Sequence, residues 1–328
     1  MTDSLLELAA KLVRITIPII MVIGIIGNSL NIAVLTRSAL CKHASSRYFL
    51  SLAINNLFVT SIILFSPLFA LGYQRDITTI SLLSCKLVSY FLHVSVVLST
   101  YFIVLASIDR YCASSTSVRL RNCSNIKVAQ RAILFVLILI MLFYINTPIL
   151  IDLQSTDAFG CAIRADTIYK TIYPMIQAIC FAIIAPLLMI IFGLLTIHNT
   201  KQLRVIPVAM SRHRRTENQL AAMLLLQVST YIVLTLPASV TYIIMIFPNT
   251  IQTTLIFYFV TITSQLLFYS SFATPFLLYI ISARTYRKEL IRLIYKIFRI
   301  HDQNQIHPIT NTVMNATVHI TRRLSSKH

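Results

Sequence analysis

The sequence predicts an all-α protein whose chain crosses a membrane seven times. Of its 328 residues, 57% are hydrophobic and only 12% are charged, whereas about 25% of the residues of soluble domains are charged. Each of seven apolar runs is long enough to supply the roughly 20 helical residues that a bilayer core requires. The runs lie at about residues 14–36, 47–72, 83–112, 127–151, 169–199, 218–247 and 253–282. We therefore expect one integral membrane domain over residues 14–300.

The distribution of Lys and Arg predicts how the chain is oriented. If the N terminus lies outside the cell, the outer segments carry six of the 28 basic residues, and the inner links and C-terminal segment carry the other 22. Because segments rich in Lys and Arg stay in the cytoplasm, we expect residues 1–13 to form a short extracellular N terminus. The formal charge of +18 arises mainly on the inner side, so it does not indicate nucleic-acid binding.

The segment after the seventh run predicts an amphipathic helix over residues 283–300. Leu290, Leu293 and Ile297 recur at helical spacing, with basic residues on their flanks. A helix of this kind lies on the anionic inner leaflet, so we expect membrane lipids as partners; the alternative is a solvated extension. Residues 301–328 are polar and are predicted to form a disordered cytoplasmic tail.

The third run carries the residues on which the functional interpretation depends. Residues 87–108 contain no formal charge, and Asp109, Arg110 and Tyr111 follow directly. For one span alone, an ordinary pair of flanking charges at the membrane interface explains them equally well. A charged pair buried below the interface would instead indicate a functional site. The pattern of the other six runs decides between these two interpretations.

Short motifs in the runs, taken in order, resemble those of the rhodopsin-like (class A) G-protein-coupled receptors over residues 14–300. One such motif alone is weak, but the ordered set is specific. It comprises Gly27 and Asn28 in the first run, Leu52 and Ala53 in the second, Asp109, Arg110 and Tyr111 in the third, Pro186 in the fifth, Glu217 and Pro237 at a separation of 20 residues around the sixth, and Pro275 in the seventh. The resemblance implies a multi-pass protein of the plasma membrane.

The resemblance also implies a disulfide bond and an ion pair between spans. Cys85, at the outer end of the third span, is expected to pair with Cys161 in the loop between the fourth and fifth spans. Arg110 is expected to be held by Asp109 and, across the bundle, by Glu217. An alternative for Glu217 is an ordinary surface acid near the basic residues that precede it.

A switch between two arrangements follows from the same resemblance. Outward movement of the sixth span, with a hinge at Pro237, would break the Arg110–Glu217 pair and open an inner cavity for a heterotrimeric G protein. Proline suits a hinge because it removes a backbone hydrogen bond. The expected coupling and switch residues are Asp109, Arg110, Tyr111, Glu217, Pro237, Pro275 and Tyr279. Arrestin and receptor kinases are further partners that the resemblance implies.

Several positions depart from the patterns of the family. Asn56 replaces the acid of the LAxxD motif, Tyr279 lies one residue late in the NPxxY motif, and Thr235 replaces an aromatic residue near Pro237. The interior polar network is therefore expected to be neutral and to comprise Asn28, Asn56, Ser99, Ser270 and Thr274. Because a monovalent cation gains little from neutral oxygens alone, we expect weak or absent modulation by sodium. High basal activity, poor activation and a variant mechanism all stay open.

The outer ligand pocket is predicted to be neutral and mostly apolar. By alignment through Arg110, Leu92 replaces the Asp of amine receptors, and in the seventh run Phe268 stands where opsins carry the Lys that binds retinal, so neither ligand is expected. The candidate pocket residues are Leu92, His93, Val96, Ala178, Thr235, Tyr242, Ser264, Gln265 and Phe268. For His93, a ligand contact and a buried, internally bonded histidine are both open. The short, hairpin-like outer loop around Gly160 resembles those of peptide receptors, so a neuropeptide is favoured over an amine or a lipid.

Three functions are compatible with these patterns. A ligand-gated activator of G proteins is preferred, and the alternatives are a receptor-fold protein without G-protein signalling (a scaffold or partner subunit) and a transporter. A transporter needs acids or bases within the membrane, and the runs carry almost none apart from Asp109 and Arg110. No enzymatic site, metal site or cofactor is expected.

Overall fold

A computed structural model of the chain describes residues 2–153, 160–163, 169–204, 212–246 and 254–296. Within these residues, six helices are long and apolar enough to cross a bilayer, and a bent pair of helices makes a seventh. We name them span 1 (Ser4–Leu35), span 2 (Ala44–Gly72), span 3 (Leu82–Ser114), span 4 (Ile126–Leu150), span 5 (Ile172–Thr200), span 6 (Thr216–Ile246) and span 7 (Leu255–Ser270 with Pro275–Ser282). The predicted all-α bundle of seven spans is confirmed.

The helices have the following bounds. The α-helices of eight or more residues are Thr2–Leu35, Ala44–Phe58, Leu82–Ser114, Ile126–Phe143, Tyr169–Gln177, Ala185–Arg204, Arg212–Ile246, Leu255–Ser270 and Pro275–Ser282. Shorter α-helices are Phe65–Pro67, Val118–Cys123 and Thr147–Leu150, and a 3₁₀ turn covers Ile77–Thr79. Residues 284–296 form a further helix after span 7.

Spans 2 and 5 contain π-helical turns, at Val59–Ile63, Leu68–Gly72 and Ala178–Ile184. Pro67 directly precedes the second of these turns, and Pro186 follows the third. Because proline cannot donate the helical hydrogen bond, the neighbouring backbone changes its turn type to satisfy the freed carbonyl groups. A π-helical turn also changes the direction of the side chains beyond it, so spans 2 and 5 do not follow simple helical spacing across these turns.

Span 7 is bent by 50° between its two helices. Residues 271–274 form the connecting turn, in which Ala273 N donates to Ser270 O (3.0 Å). Pro275 then begins the second helix, where its missing N–H group is not required. The sequence predicted one apolar run over residues 253–282, and the position of this proline explains why the structure divides it.

Span 3 lies at the centre of the bundle. In its most apolar stretch 61% of the residues are buried, compared with 17% in span 4 and 22% in span 5. The hydroxyl of Ser81 caps its first turn by accepting a hydrogen bond from Ser84 N (3.1 Å). Span 3 contacts spans 2, 4, 5 and 6. Side chains at its two ends, Cys85 and Arg110, are therefore placed to join several spans.

Buried apolar side chains form two clusters. The larger one joins all seven spans and includes Phe49, Leu98 and Tyr279. The smaller one joins the N-terminal part of span 1, the second half of span 2 and the first helix of span 7, and includes Ile17 and Phe268. Many other large apolar side chains of the spans are exposed, as a lipid-facing surface requires.

A short sheet and a disulfide bond join span 3 to the loop between spans 4 and 5. Strand β1 (Ile151–Leu153) pairs antiparallel with strand β2 (Cys161–Ile163). Cys161 forms a disulfide bond with Cys85, with the two Cα atoms 5.7 Å apart, which confirms the predicted pairing. Gly160 has φ +56°, and a Cβ atom at this position would lie 2.5 Å from Thr79 Cγ2. Only glycine fits the turn into β2 without strain.

The helix at residues 284–296 packs on the bundle through one face. Tyr286, Glu289 and Leu290 are buried, whereas Ile291 and Tyr295 are exposed. The helix was predicted over residues 283–300, of which 297–300 lie outside the described residues, as does the predicted tail over 301–328. At the other terminus, the segment predicted over residues 1–13 is helical from Thr2 onward. The orientation of the chain in the membrane stays a prediction.

Candidate functional site

Arg110 lies near the C-terminal end of span 3 and is buried against two carboxylates. Its side chain is 2% exposed. Its Nη2 atom donates to Asp109 Oδ2 (2.9 Å), and its Nη1 atom donates to Glu217 Oε2 in span 6. An unpaired guanidinium at this depth would be strongly destabilising, so these two carboxylates stabilise its position. We call this end of the bundle the Arg110 end and the opposite one the disulfide end.

The carboxylate of Asp109 is fully satisfied by neighbouring hydroxyl groups. Ser45, in the first turn of span 2, donates to Asp109 Oδ2 (2.5 Å). Ser124, between spans 3 and 4, donates to Asp109 Oδ1 (2.8 Å). Both serines are far from Asp109 in sequence and belong to no motif, so the sequence analysis did not find them. Together they connect span 2, span 3 and the link before span 4 through one buried acid.

Glu217 has a second partner, His43, which the sequence analysis also missed. His43 directly precedes the helix that starts span 2, and only 6% of its side chain is exposed. Its Nδ1 atom is bonded to Glu217 Oε1, while Arg110 is bonded to the other oxygen. Span 6 is therefore joined at this end both to span 3 and to the link before span 2.

Two other predicted switch residues lie apart from this ion-pair cluster. The ring of Tyr111 packs against Phe192 of span 5, with the ring centroids 5.6 Å apart. Pro237 lies inside the helix Arg212–Ile246. Its role as a hinge stays a prediction.

Tyr279 of span 7 is buried although it lies one residue late in its motif. Its side chain is 0% exposed, and its hydroxyl donates to Gln227 Oε1 in span 6 (2.5 Å). Tyr286 lies beside it, with ring centroids 5.8 Å apart, and donates to Asn31 Oδ1 in span 1 (2.7 Å). Burial raises the pKa of Tyr286, so this hydroxyl stays protonated. Tyr279 thus joins span 7 to span 6, and Tyr286 joins the helix at residues 284–296 to span 1.

The predicted interior polar network is only partly assembled. Ser99 donates to Asn56 Oδ1 (2.7 Å), and Asn55, which was not predicted, donates to Ser99 Oγ (2.7 Å). Asn28 connects span 1 to span 7 by donating to Phe272 O (3.0 Å).

The other two members of that network bond within their own span. Ser270 donates to Leu267 O (2.6 Å), and Thr274 donates to Ser271 O (3.2 Å). Helical Ser and Thr side chains often bond to carbonyl groups one turn earlier. These hydroxyls are therefore used locally and do not join Asn56.

In the predicted outer pocket, His93 has several internal contacts. Its Nδ1 atom lies 2.6 Å from Ser89 O. Its ring packs against Tyr144 and Tyr173, with centroid distances of 6.0 and 5.5 Å. These contacts fix the ring between spans 3, 4 and 5. A ligand contact and a structural role both stay open for this residue.

The remaining pocket candidates are distributed over spans 3, 5, 6 and 7. Phe268 packs edge-on against Phe181 (5.8 Å between centroids) and Phe272 (5.2 Å), and Leu92 and Val96 pack against the smaller core cluster. Ala178, Thr235 and Ser264 are buried, whereas Tyr242 and Gln265 are partly exposed. The side chains are neutral, and their role in binding a ligand stays a prediction.

A bundle of seven spans with a buried ion-pair cluster at the end of span 3 defines a seven-transmembrane receptor. Residues 27–278 match the family described as "7 transmembrane receptor (rhodopsin family)". The chain belongs to this family, the class A G-protein-coupled receptors, as its motifs predicted. It is therefore a multi-pass membrane protein of a family whose members are in general receptors and not enzymes.

Its relatives include receptors for galanin and for chemokines. Galanin receptor type 1 of Rattus norvegicus is 30% identical over 183 residues, which cover 53% of this chain and 51% of that receptor. C-C chemokine receptor type 8 of Macaca mulatta is 29% identical over 142 residues, covering 43% of this chain and 38% of that receptor. The chain thus spans about half the length, or less, of the curated relatives it matches.

Proposed function

We propose that this chain is a receptor that senses an extracellular peptide and activates a heterotrimeric G protein through outward movement of span 6. The observation that carries the proposal is the ion pair between the buried Arg110 in span 3 and the partly buried Glu217 in span 6. Such a pair stabilises one arrangement of two helices and is lost when they separate, so a ligand can shift the balance between the two arrangements.

The proposal includes a topology and a set of partners. The N terminus is outside the plasma membrane, because most Lys and Arg residues lie at the Arg110 end and in the C-terminal segment. The helix at residues 283–300 rests on the inner leaflet, and residues 301–328 form a cytoplasmic tail that arrestin and receptor kinases contact. A peptide is favoured as ligand because relatives of the chain are receptors named for galanin and for chemokines.

G-protein dissociation in cells that express the chain tests the proposal. A library of peptides, amines and lipids is applied to the wild type, to Arg110→Ala and to Lys127→Ala at matched surface expression. Lys127 is exposed in the first turn of span 4, so its variant controls for loss of a positive charge. We expect a peptide-evoked signal that Arg110→Ala lowers about tenfold or more in potency and that Lys127→Ala leaves unchanged.

Two further variants examine the switch itself. Glu217→Gln removes the charge that Arg110 and His43 share, so we expect higher basal signalling. His43→Ala removes one of the two partners of Glu217, so we expect a smaller rise. Silence of the well-expressed wild type and all variants with every G-protein class would instead favour a receptor-fold protein without G-protein signalling, such as a scaffold or partner subunit.

A further inference from the structure

The link between spans 3 and 4 forms a short helix on the surface of the Arg110 end. The helix covers Val118–Cys123, and none of its six residues, all of which the structure describes, is buried. Isolated helices of this length are unstable in water, so this one opens at a low cost in free energy. The link is therefore a segment that an enzyme can bind in an extended form.

Ser124 joins this link to the buried ion-pair cluster. Its hydroxyl donates to Asp109 Oδ1 (2.8 Å), whereas Arg110 binds the other carboxylate oxygen of Asp109, Oδ2 (2.9 Å). Ser124 is only partly buried, although Asp109 is 5% exposed. One reachable hydroxyl group thus contacts a deeply buried acid of the proposed switch.

Two arginines precede Ser124 at a spacing that protein kinases recognise. Residues 119–124 read RLRNCS, so Arg119 and Arg121 lie five and three residues before the serine, and both are exposed. Basophilic kinases select their substrates by charge, because acidic groups in their peptide grooves pair with arginines at these two positions. The pattern, the partial exposure of the serine and the ease with which the preceding helix opens all indicate the same modification.

We propose that Ser124 is a phosphorylation site for basophilic kinases and that its phosphorylation releases the link from Asp109. Ser124 Oγ bonds to the γ-phosphorus of ATP, the bond between that phosphorus and the bridging oxygen of the leaving ADP breaks, and the hydroxyl proton passes to a base of the kinase. That cytoplasmic kinases meet this link in cells rests on the topology in the proposed function, whereas the chemistry of the site does not.

The release follows from the charge that the phosphate adds. A phosphoserine carries about 1.5 to 2 negative charges at pH 7, and the unmodified Oγ atom of Ser124 lies 2.8 Å from a carboxylate oxygen of Asp109. Like charges at this separation repel each other, most strongly where water is excluded. Arg110 does not remove the repulsion, because Asp109 and Glu217 already bind it. The phosphorylated link must therefore move away from span 3.

Phosphorylation is tested on the purified full chain in detergent micelles with protein kinase B and ATP. Site-resolved mass spectrometry measures the initial rate at which Ser124 gains phosphate. We expect Arg121→Gln to lower this rate about tenfold or more, because a charge-assisted contact with the kinase is lost. Arg131→Gln removes the same charge from an exposed position of span 4 outside the pattern, and we expect a change within about twofold. No phosphate on Ser124 in the wild type, or equal losses in the two variants, overturns the site.

Hydrogen exchange of the same samples tests the release. The amides of residues 118–124 should exchange about tenfold faster after phosphorylation, and those of the turn Ile77–Thr79 at the disulfide end should not change. Ser124→Ala removes the hydrogen bond to Asp109 without adding a charge, so we expect a smaller increase. Slower exchange of the phosphorylated link would mean that the phosphate binds Arg110 and orders the link. Slower or unchanged exchange overturns the release.

In cells, the same segment separates the site from the topology on which it depends. Asn122, Cys123 and Ser124 also match the N-glycosylation sequon, which is used only in a segment outside the cytoplasm. In cells treated with a phosphatase inhibitor, we expect phosphate on Ser124 and no glycan on Asn122. A glycan on Asn122 would overturn the topology and the site in cells together, and neither modification would overturn the site in cells alone. Phosphate on Ser124 in cells that give no G-protein signal would support the site and count only against the proposed function.

Discussion

The two ends of the bundle are held together by different kinds of interaction. At the disulfide end, a covalent bond joins Cys85 to Cys161. At the Arg110 end, spans 2, 3 and 6 are joined by buried charges and hydrogen bonds, with Arg110 between Asp109 and Glu217. A covalent bond holds its two elements together permanently, whereas an ion pair can exchange partners. The difference supports the proposal that the Arg110 end is the part of the bundle that changes its arrangement.

The largest loss of stability is expected from removing a buried charge at the Arg110 end. Asp109→Ala leaves the guanidinium of Arg110 with Glu217 alone, and loss of one partner of a buried pair costs roughly 3–5 kcal/mol. Thermal unfolding of the purified chain should show a clearly lower Tm.

Glu7→Ala is the matched control for this prediction. The Glu7–Lys11 pair is close (2.8 Å), but its two side chains are 64% and 58% exposed, and exposed pairs contribute about 0–1 kcal/mol. Equal Tm shifts for Asp109→Ala and Glu7→Ala would contradict the view that the charges at the Arg110 end stabilise the fold more because they are buried.

At the disulfide end, Cys85→Ala together with Cys161→Ala should lower stability by about 2–4 kcal/mol, because the bond closes a long loop in the unfolded chain. We expect a lower Tm and reduced surface expression, with the basal signal per surface receptor unchanged. Cys123→Ala, which removes an exposed free thiol, controls for loss of a cysteine. A double variant with raised basal signalling would show that the disulfide end also takes part in the switch.

Tyr279→Phe tests a neutral contact at the Arg110 half of the bundle. It removes the hydroxyl that donates to Gln227, which is 3% exposed, and an unsatisfied buried group costs about 1–3 kcal/mol. Tyr295→Phe provides the control, because Tyr295 is 72% exposed and we expect its Tm to match the wild type. If both variants unfold at the same temperature as the wild type, the Tyr279–Gln227 bond does not contribute to stability.

The sequence was sufficient for features that have a fixed pattern. The length of the apolar runs predicted seven spans, and the order of the motifs predicted the Cys85–Cys161 bond and the approach of Arg110 to Glu217. The partners of those residues could not be predicted in the same way. Ser45, Ser124 and His43 reach Asp109 and Glu217 only through tertiary packing, because no spacing in the sequence connects them.

The polar side chains inside the bundle were harder to predict for a second reason. The π-helical turns Val59–Ile63 and Ala178–Ile184 change side-chain directions in spans 2 and 5, and local hydrogen bonds compete for polar groups. Ser270 and Thr274 were predicted to belong to one polar network with Asn56, but each bonds to a carbonyl group of its own span. Helical hydroxyls have this local alternative wherever they occur, so their type alone does not place them in a network.

The smallest effect on stability is expected from sodium ions. This prediction tests the neutral polar interior around Asn56, which lies between the two ends. Asn56 Oδ1 already accepts from Ser99 (2.7 Å), and the site offers neutral oxygens without a carboxylate. The Tm of the purified chain should therefore be the same in sodium chloride as in N-methylglucamine chloride. Asn56→Asp supplies the missing charge and keeps an acceptor for Ser99. The free energy of unfolding of this variant should rise by about 1–2 kcal/mol when the sodium concentration is about ten times the dissociation constant for sodium. A strong sodium effect in the wild type would mean that neutral oxygens suffice here, and that the interior is as charge-sensitive as the Arg110 end.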